Sequence, residues 1–202
     1  MRKTYCGEPL EKGGTSISAG VSPTVKWLFK QGYIKSGQKI LDYGAGKYSR
    51  NANWLREKGC EVYAYDPYNY NDEDPWKKNG VSNKLTRHKF DVGLSVFVLC
   101  VVRKKDEKDI KKYLSKKCKK NFYVNRGTEL VDSVKWSIVT VRDPVISFYK
   151  EYKNSFRVGE RTPSIEDFCK YGVKTKRGFQ RLSEPKSLKK IKETRAFRIF
   201  SD

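Results

Sequence analysis

Apolar and polar positions in this chain recur in two rhythms, near 3.6 residues and near 2, and the switches between them outline its elements. Ser22-Pro23 opens a helix, with Ser as N-cap and Pro at the first helical position; Val25, Leu28, Phe29 and Ile34 follow and Gly32 stops it. Beyond a Ser36-Gly37 turn, Lys39 to Tyr43 is a short apolar run opening into Gly44-Ala45-Gly46, which predicts a buried strand ending in a tight loop. Ser49 to Lys58 has helical spacing, with Trp54 and Leu55 inward and Gly59 as C-terminal cap. Glu61 to Asp66 predicts the next strand, halted by Pro67.

A polar stretch through Trp76, Gly80 and Asn83 follows. Phe90 to Leu99 is the most apolar run and predicts a central strand running into a turn. Lys105 to Lys117 is a charged helix with Ile110, Tyr113 and Leu114 on one face, and Asn121 to Asn125 and Trp136 to Val141 are strands. Pro144 to Tyr152 and Pro163 to Tyr171 read as helices. Gly178 to Leu182 and Ala196 to Phe200 read as strands flanking a Lys-rich helix around Leu188 and Ile191. Strands alternating with helices predict βαβ units: an α/β fold of three layers, with a mostly parallel central sheet and helices on both faces. Residues 1–21 lack periodicity and read as an irregular arm; residues 22–202 suit a single domain.

The glycine loop changes the picture. In open α/β sheets ligands bind beyond the carboxyl ends of the strands. Glycines at 44 and 46 let the backbone turn sharply and approach a ligand closely. Asp66 ends the next strand about 20 residues later, where an acid can accept hydrogen bonds from both ribose hydroxyls of a nucleoside. As a bare pattern this is also compatible with a glycine turn in some other α/β domain, with Asp66 capping the next segment. A dinucleotide loop fits less well, because Ser49 stands where the third glycine of G-x-G-x-x-G belongs; the nucleoside-triphosphate loop spacing fails, and Tyr48 follows Lys47.

Ile40-Leu41-Asp42-Tyr43-Gly44-Ala45-Gly46, followed by Glu61-Val62-Tyr63-Ala64-Tyr65-Asp66, resembles the first two motifs of the class I methyltransferases. Phe90 to Leu99 resembles the family's fourth motif, and the likeness spans residues 37–125, the cofactor-binding half; residues 126–202 form a basic half that is similar in architecture alone. The resemblance implies a Rossmann-like sandwich and S-adenosylmethionine as cofactor. Asp42, Tyr43, Gly44, Ala45 and Gly46 would line its methionine end, Asp66 would hold the ribose, Pro67 and Tyr68 would pack near the adenine, and Ser95 would face the cofactor from the fourth motif. Only about two dozen residues separate Asp66 from Phe90, so the third strand must be abbreviated near Gly80 to Leu85 or replaced by a loop. Asn83 is the candidate adenine contact there.

Methyl transfer is an in-line displacement in which positioning can carry much of the catalysis, and no acid–base constellation stands out, so no catalytic residue is assigned. The D/N-P-P-Y/F/W motif of enzymes that methylate exocyclic amines is replaced by Ser95-Val96-Phe97-Val98, and no cysteine follows a proline as a cytosine-C5 nucleophile would. Cys100 reads as a buried apolar cysteine and His88 as a surface residue. The five cysteines show no CxxC pair, which gives no zinc spacing, no metal site and reduced thiols. With no apolar run near the roughly 18–20 residues of a membrane span and no secretory start, a soluble cytoplasmic protein is expected.

Net charge +21, from 44 Lys+Arg against 23 Asp+Glu, points towards polyanions and makes nucleic acid, RNA or DNA, the expected substrate and partner. A/T-rich coding bias would also favour lysine, though it should raise Glu as well. Two stretches concentrate the charge. One runs from Arg103 to Lys120 and reads as a solvated helix face. The other runs from Lys174 to Arg198, where Lys174, Lys176, Arg177 and Arg181 around the Gly172–Gly178 loop are the candidate substrate contacts. The alternatives are a methyltransferase of a small molecule or protein, and a non-catalytic module that binds cofactor or nucleic acid.

Overall fold

The computed structural model describes residues 20–68, 73–102, 104–127, 173–175, 178–180 and 187–202. Helices α1 (Pro23–Lys30), α2 (Arg50–Glu57) and α3 (Lys104–Lys117) accompany strands β1 (Lys39–Tyr43), β2 (Glu61–Tyr65), β3 (Phe90–Val96), β4 (Cys118–Arg126), β7 (Lys189–Glu193) and β8 (Phe197–Ser201). Those strands form one sheet in the order β2-β1-β3-β4-β8-β7, and β5 (Val173–Thr175) and β6 (Gly178–Gln180) form a separate hairpin. β1 runs parallel to β2 and β3, β3 runs parallel to β4, and β8 is antiparallel to both β4 and β7. The predicted elements at 136–141, 144–152 and 163–171, and the arm up to residue 19, lie outside the described residues.

Neighbouring residues of a strand face opposite sides, and Ile40 and Leu41 accordingly fall into different apolar clusters. Ile40, Val62, Val92, Leu94, Phe122, Val124 and Ile199 pack with Val25 and Leu28 of α1 and Ala52 and Leu55 of α2. Leu41, Tyr63, Tyr123 and Phe200 pack with Ile110 and Leu114 of α3. Ser22 holds the N-cap position of α1, yet its hydroxyl pairs with Thr24 Oγ1 at 2.6 Å rather than with the helix backbone. Its own N–H donates to Asn51 Oδ1 at 2.8 Å, which ties α1 to α2. Cys60, Cys100 and Cys118 are buried thiols.

Two expectations need correcting, and a third is met. The Lys-rich segment around Leu188 and Ile191 is strand β7 rather than a helix. β8 is almost wholly buried, and its second edge of N–H and C=O groups needs partners; the turn in which Thr194 N–H donates to Phe197 O at 2.8 Å brings β7 alongside. Sheet pairing outweighs the helix preference of lysine, and lysines on an edge strand discourage pairing with another chain. The Gly172–Gly178 segment is not simply a loop, since Val173–Thr175 pairs with Gly178–Gln180. The third strand after Asp66 shrinks to a single parallel bridge between Tyr65 and Ser82, in keeping with the short spacing. Counting that bridge as its remnant, the order follows the Rossmann pattern of strands 3-2-1-4-5.

Candidate functional site

The carboxyl ends of β1 and β2 meet at the glycine loop. Gly44 and Ala45 donate their N–H groups to Tyr65 O at 2.7 and 3.0 Å, folding the loop back on the end of β2. Gly44 and Gly46 have φ of 83° and 74°, the left-handed region that favours glycine. A Cβ on Gly44 would lie 2.3 Å from Val98 Cγ2, so the turn after β3 packs directly onto this glycine. Ser49, the residue standing for a third glycine, adopts φ 47° at the start of α2. The backbone there has the conformation a glycine would supply, at the cost of a strained serine.

Asp66 lies between the loop and the segment beyond β2. Its Oδ2 accepts from Gly46 N–H at 2.9 Å and its Oδ1 from Tyr68 N–H at 3.0 Å. Its backbone is clamped by Ser82: Asp66 N–H donates to Ser82 O at 3.0 Å, and Ser82 N–H to Ala64 O at 2.9 Å. A carboxylate offers about four acceptor positions, so ribose hydroxyls can join the two amides. Asp42 is 1% exposed and its Oδ2 has no hydrogen-bond partner among the described residues. Burial lifts its pKa from 3.8 to about 7; the Arg56 guanidinium opposes that rise and the Asp66 carboxylate adds to it. Ser49 Oγ is likewise buried without a partner. An unpartnered buried carboxyl oxygen beside two positive-φ glycines suits a ligand that brings a cationic donor, as the methionine ammonium of S-adenosylmethionine does.

The structure brings Asp42, Gly44, Ala45, Gly46 and Asp66 together. Pro67 is half-buried and Tyr68 exposed directly after Asp66, and Asn83 is exposed next to the clamping Ser82. Tyr43 and Ser95 are not part of the group. Asp42 shares the Ile40 face, whereas the Tyr43 ring lies tilted 4.8 Å from Tyr65 and 6.1 Å from Tyr113 on the α3 face. Leu94 packs with α1 and α2, so buried Ser95 turns towards α3. The side chain of Lys174 and residues Lys176, Arg177 and Arg181 lie outside the described residues. Arg198, counted in the basic C-terminal stretch, is 1% exposed and donates through Nε to Arg126 O at 3.1 Å, so it is a core residue and not a surface contact. Cys100 is buried, with Sγ 3.2 Å from Phe97 O, and His88 is exposed against Trp76.

Sequence reasoning missed Arg56, Val98 and Phe97. Arg56 donates to Asn53 Oδ1 and Val62 O, both at 2.9 Å, to Gly80 O at 3.2 Å and to Pro75 O, tying the segment that carries Ser82 to α2 and β2. A hollow lined by Asn53, Arg56, Cys60, Glu61 and Trp76 adjoins it near the start of β2, away from the strands' carboxyl ends. Phe97 has φ 58° where β3 turns, and the Arg126 guanidinium sits 4.9 Å above its ring at the end of β4. Nothing in a linear pattern signals these contacts, which depend on which strands become neighbours.

No protein-family model matches the sequence, and no curated protein is detectably similar to it. Solved structures do match. The 1,6-didemethyltoxoflavin-N1-methyltransferase of Burkholderia thailandensis, bound to 1,6-didemethyltoxoflavin and S-adenosylhomocysteine, is 10% identical over 89% of this chain and 76% of its own, with a TM-score of 0.53. Magnesium protoporphyrin IX methyltransferase of Synechocystis PCC 6803, with bound S-adenosylhomocysteine, is 15% identical over 88% of this chain and 78% of its own, with a TM-score of 0.48. The strand order, the glycine loop closing on the strand-two acid, and the first of these superpositions agree: the chain has the Rossmann-like fold of the class I methyltransferases.

Proposed function

We propose that this protein is an S-adenosylmethionine-dependent methyltransferase acting on a small molecule. The observation that carries the reading is the pair of buried carboxyl groups, Asp42 and Asp66, framing a positive-φ glycine loop where the parallel strands β1 and β2 end. Asp66 would hold the ribose, and Asp42, ionised by a cationic partner, would hold the methionine ammonium. The cofactor supplies an electrophilic methyl group, and the protein's part is to align an acceptor in line with it and to exclude water. Phe97, Val98 and Arg126, at the ends of β3 and β4, would border the acceptor.

Support for a small acceptor comes from the Burkholderia thailandensis enzyme, whose bound acceptor is a small heterocycle. Methyl transfer to nucleic acid is the second reading, favoured by the net charge of +21. Calorimetric titration with S-adenosylmethionine and S-adenosylhomocysteine tests the cofactor. Micromolar binding lost in Asp66→Ala is expected, and absence of binding by the parent protein would overturn the proposal. Release of labelled methyl onto a small-molecule extract but not onto RNA or DNA would separate the two acceptor classes.

A further inference from the structure

We infer that the face built by α1, β4 and the β7–β8 hairpin binds single-stranded nucleic acid, through lysines set around half-buried aromatic rings. Lys192 Nζ lies 4.3 Å from the Trp27 ring centroid and 5.9 Å from that of Phe197. Lys120 Nζ lies 5.4 Å from the Tyr33 ring. The Trp27 and Tyr33 centroids are 5.7 Å apart, so the two lysines and two rings form one continuous strip. Exposed Lys26 and Lys30, one turn apart on α1, flank it.

Lysine outnumbers acid on these elements. Residues 20–41 contain Lys26, Lys30, Lys35 and Lys39 and no Asp or Glu, and β4 contains Lys119, Lys120 and Arg126 and no acid. In the hairpin, Glu193 is held by Lys190. Of the acids in the other described elements, Glu57 and Glu61 lie at the β2 side and Asp106, Glu107 and Asp109 on α3, while Asp91 of β3 pairs with Lys119 at 2.8 Å and Asp202, after β8, accepts from Asn121 N–H at 2.7 Å. Base-composition bias scatters lysine without regard to the fold and does not set two lysines over adjoining rings.

The rings select the kind of polyanion. Phosphate alone needs only ammonium groups, whereas unpaired bases stack on aromatic faces, and bases inside a duplex are not free to do so. A lysine lying over a ring has a flexible stem; when a base takes the ring face, its ammonium can move to the adjoining phosphate. The strip starts where Ser22 ties α1 to α2 and runs away from the glycine loop, and the inference does not rest on methyl transfer.

Fluorescence anisotropy of labelled oligo(dT), titrated with the full chain over a range of salt, tests it. Four lysines on phosphates predict a slope of log K against log salt of about −3. Lys120→Gln/Lys192→Gln should reduce the slope to about −1.4 and weaken binding at low salt by roughly tenfold or more, whereas Lys108→Gln/Lys112→Gln on α3 should change neither. Trp27→Leu should weaken oligo(dT) binding about fivefold or more and leave heparin binding unchanged. Absence of oligo(dT) binding, equal losses in the two lysine pairs, or indifference of oligo(dT) to Trp27 in a folded variant would each overturn the proposal. If Trp27→Leu does not fold, the two lysine pairs decide the matter alone. Asp66→Ala should leave oligo(dT) binding intact, so failure of the methyltransferase reading shows separately.

Discussion

The two margins of the six-stranded sheet handle charge in opposite ways. Around β1 and β2, the carboxyl groups of Asp42 and Asp66 are buried, one against backbone amides and one with an orphan oxygen. Around β8 and β7, lysine ammonium groups lie at the surface over aromatic rings. A buried charge is costly until a specific partner arrives, so it acts as a selective site. A surface charge costs little and binds weakly, so only an array of them acts, and salt screens it. Neutralising or crowding a residue should therefore have large consequences at the first margin and small ones at the second.

Crowding the glycine loop should have the largest effect. Gly44→Ala places a Cβ 2.3 Å from Val98 Cγ2 at φ 83°. Left-handed strain of roughly 1–2 kcal/mol adds to roughly 1–3 kcal/mol of overpacking. We expect a loss of about 2–5 kcal/mol in urea unfolding, with Val98→Ala in the same chain recovering the steric part and leaving the strain. A Gly44→Ala protein as stable as the parent would mean that Val98 does not seat on the loop.

The same contrast governs what could be read from sequence. The first margin is local: Asp42, Gly44, Gly46 and Asp66 lie within 25 consecutive residues, and turn chemistry, apolar runs and Pro67 place them without knowledge of the rest. α1, β1, α2 and β2 appear within a residue or two of their expected bounds. What periodicity left open was which face a residue takes once strands are ordered; Tyr43 and Ser95 sit one residue from Asp42 and Leu94 and so turn to the other side. The second margin is non-local. β7 becomes a strand because β8, itself paired to β4 across some 70 residues of chain, offers an open edge. Lysine-rich sequence carries no trace of that. Arg198, one of ten basic residues in its stretch, is buried because its register partner is Asn125 on the covered face.

Neutralising the buried carboxyl should come next in size. Asp42 keeps its proton to about pH 7 in the folded chain, against 3.8 as its ordinary value. Between those values the folded state binds more protons than the unfolded, so stability falls as pH rises through that window and levels off above it. The fall amounts to at most about 4 kcal/mol, less where water enters on ionisation. Asp42→Asn keeps the shape and cannot ionise, so it should remove the fall: near-parental stability at about pH 4, and greater stability than the parent at about pH 8. Urea midpoints across that range would show it. A parent curve no steeper than that of Asp42→Asn would mean that Asp42 is not held neutral by burial.

The smallest effect should come from the lysine margin. Lys192→Met keeps the aliphatic stem that covers Trp27 and Phe197 and removes the ammonium group 4.3 Å from the Trp27 centroid. Exposed cation–π contacts are worth roughly 0.5–1 kcal/mol, and relief of repulsion among lysines on this face works against that loss. The expected change in unfolding free energy is under about 1 kcal/mol, shrinking as salt is raised. Thermal melts at low and high salt measure it. A loss of several kcal/mol that persisted at high salt would mean that Lys192 is a packing residue whose charge is buried. The two margins would then differ in the sign of their charge and not in how they use it.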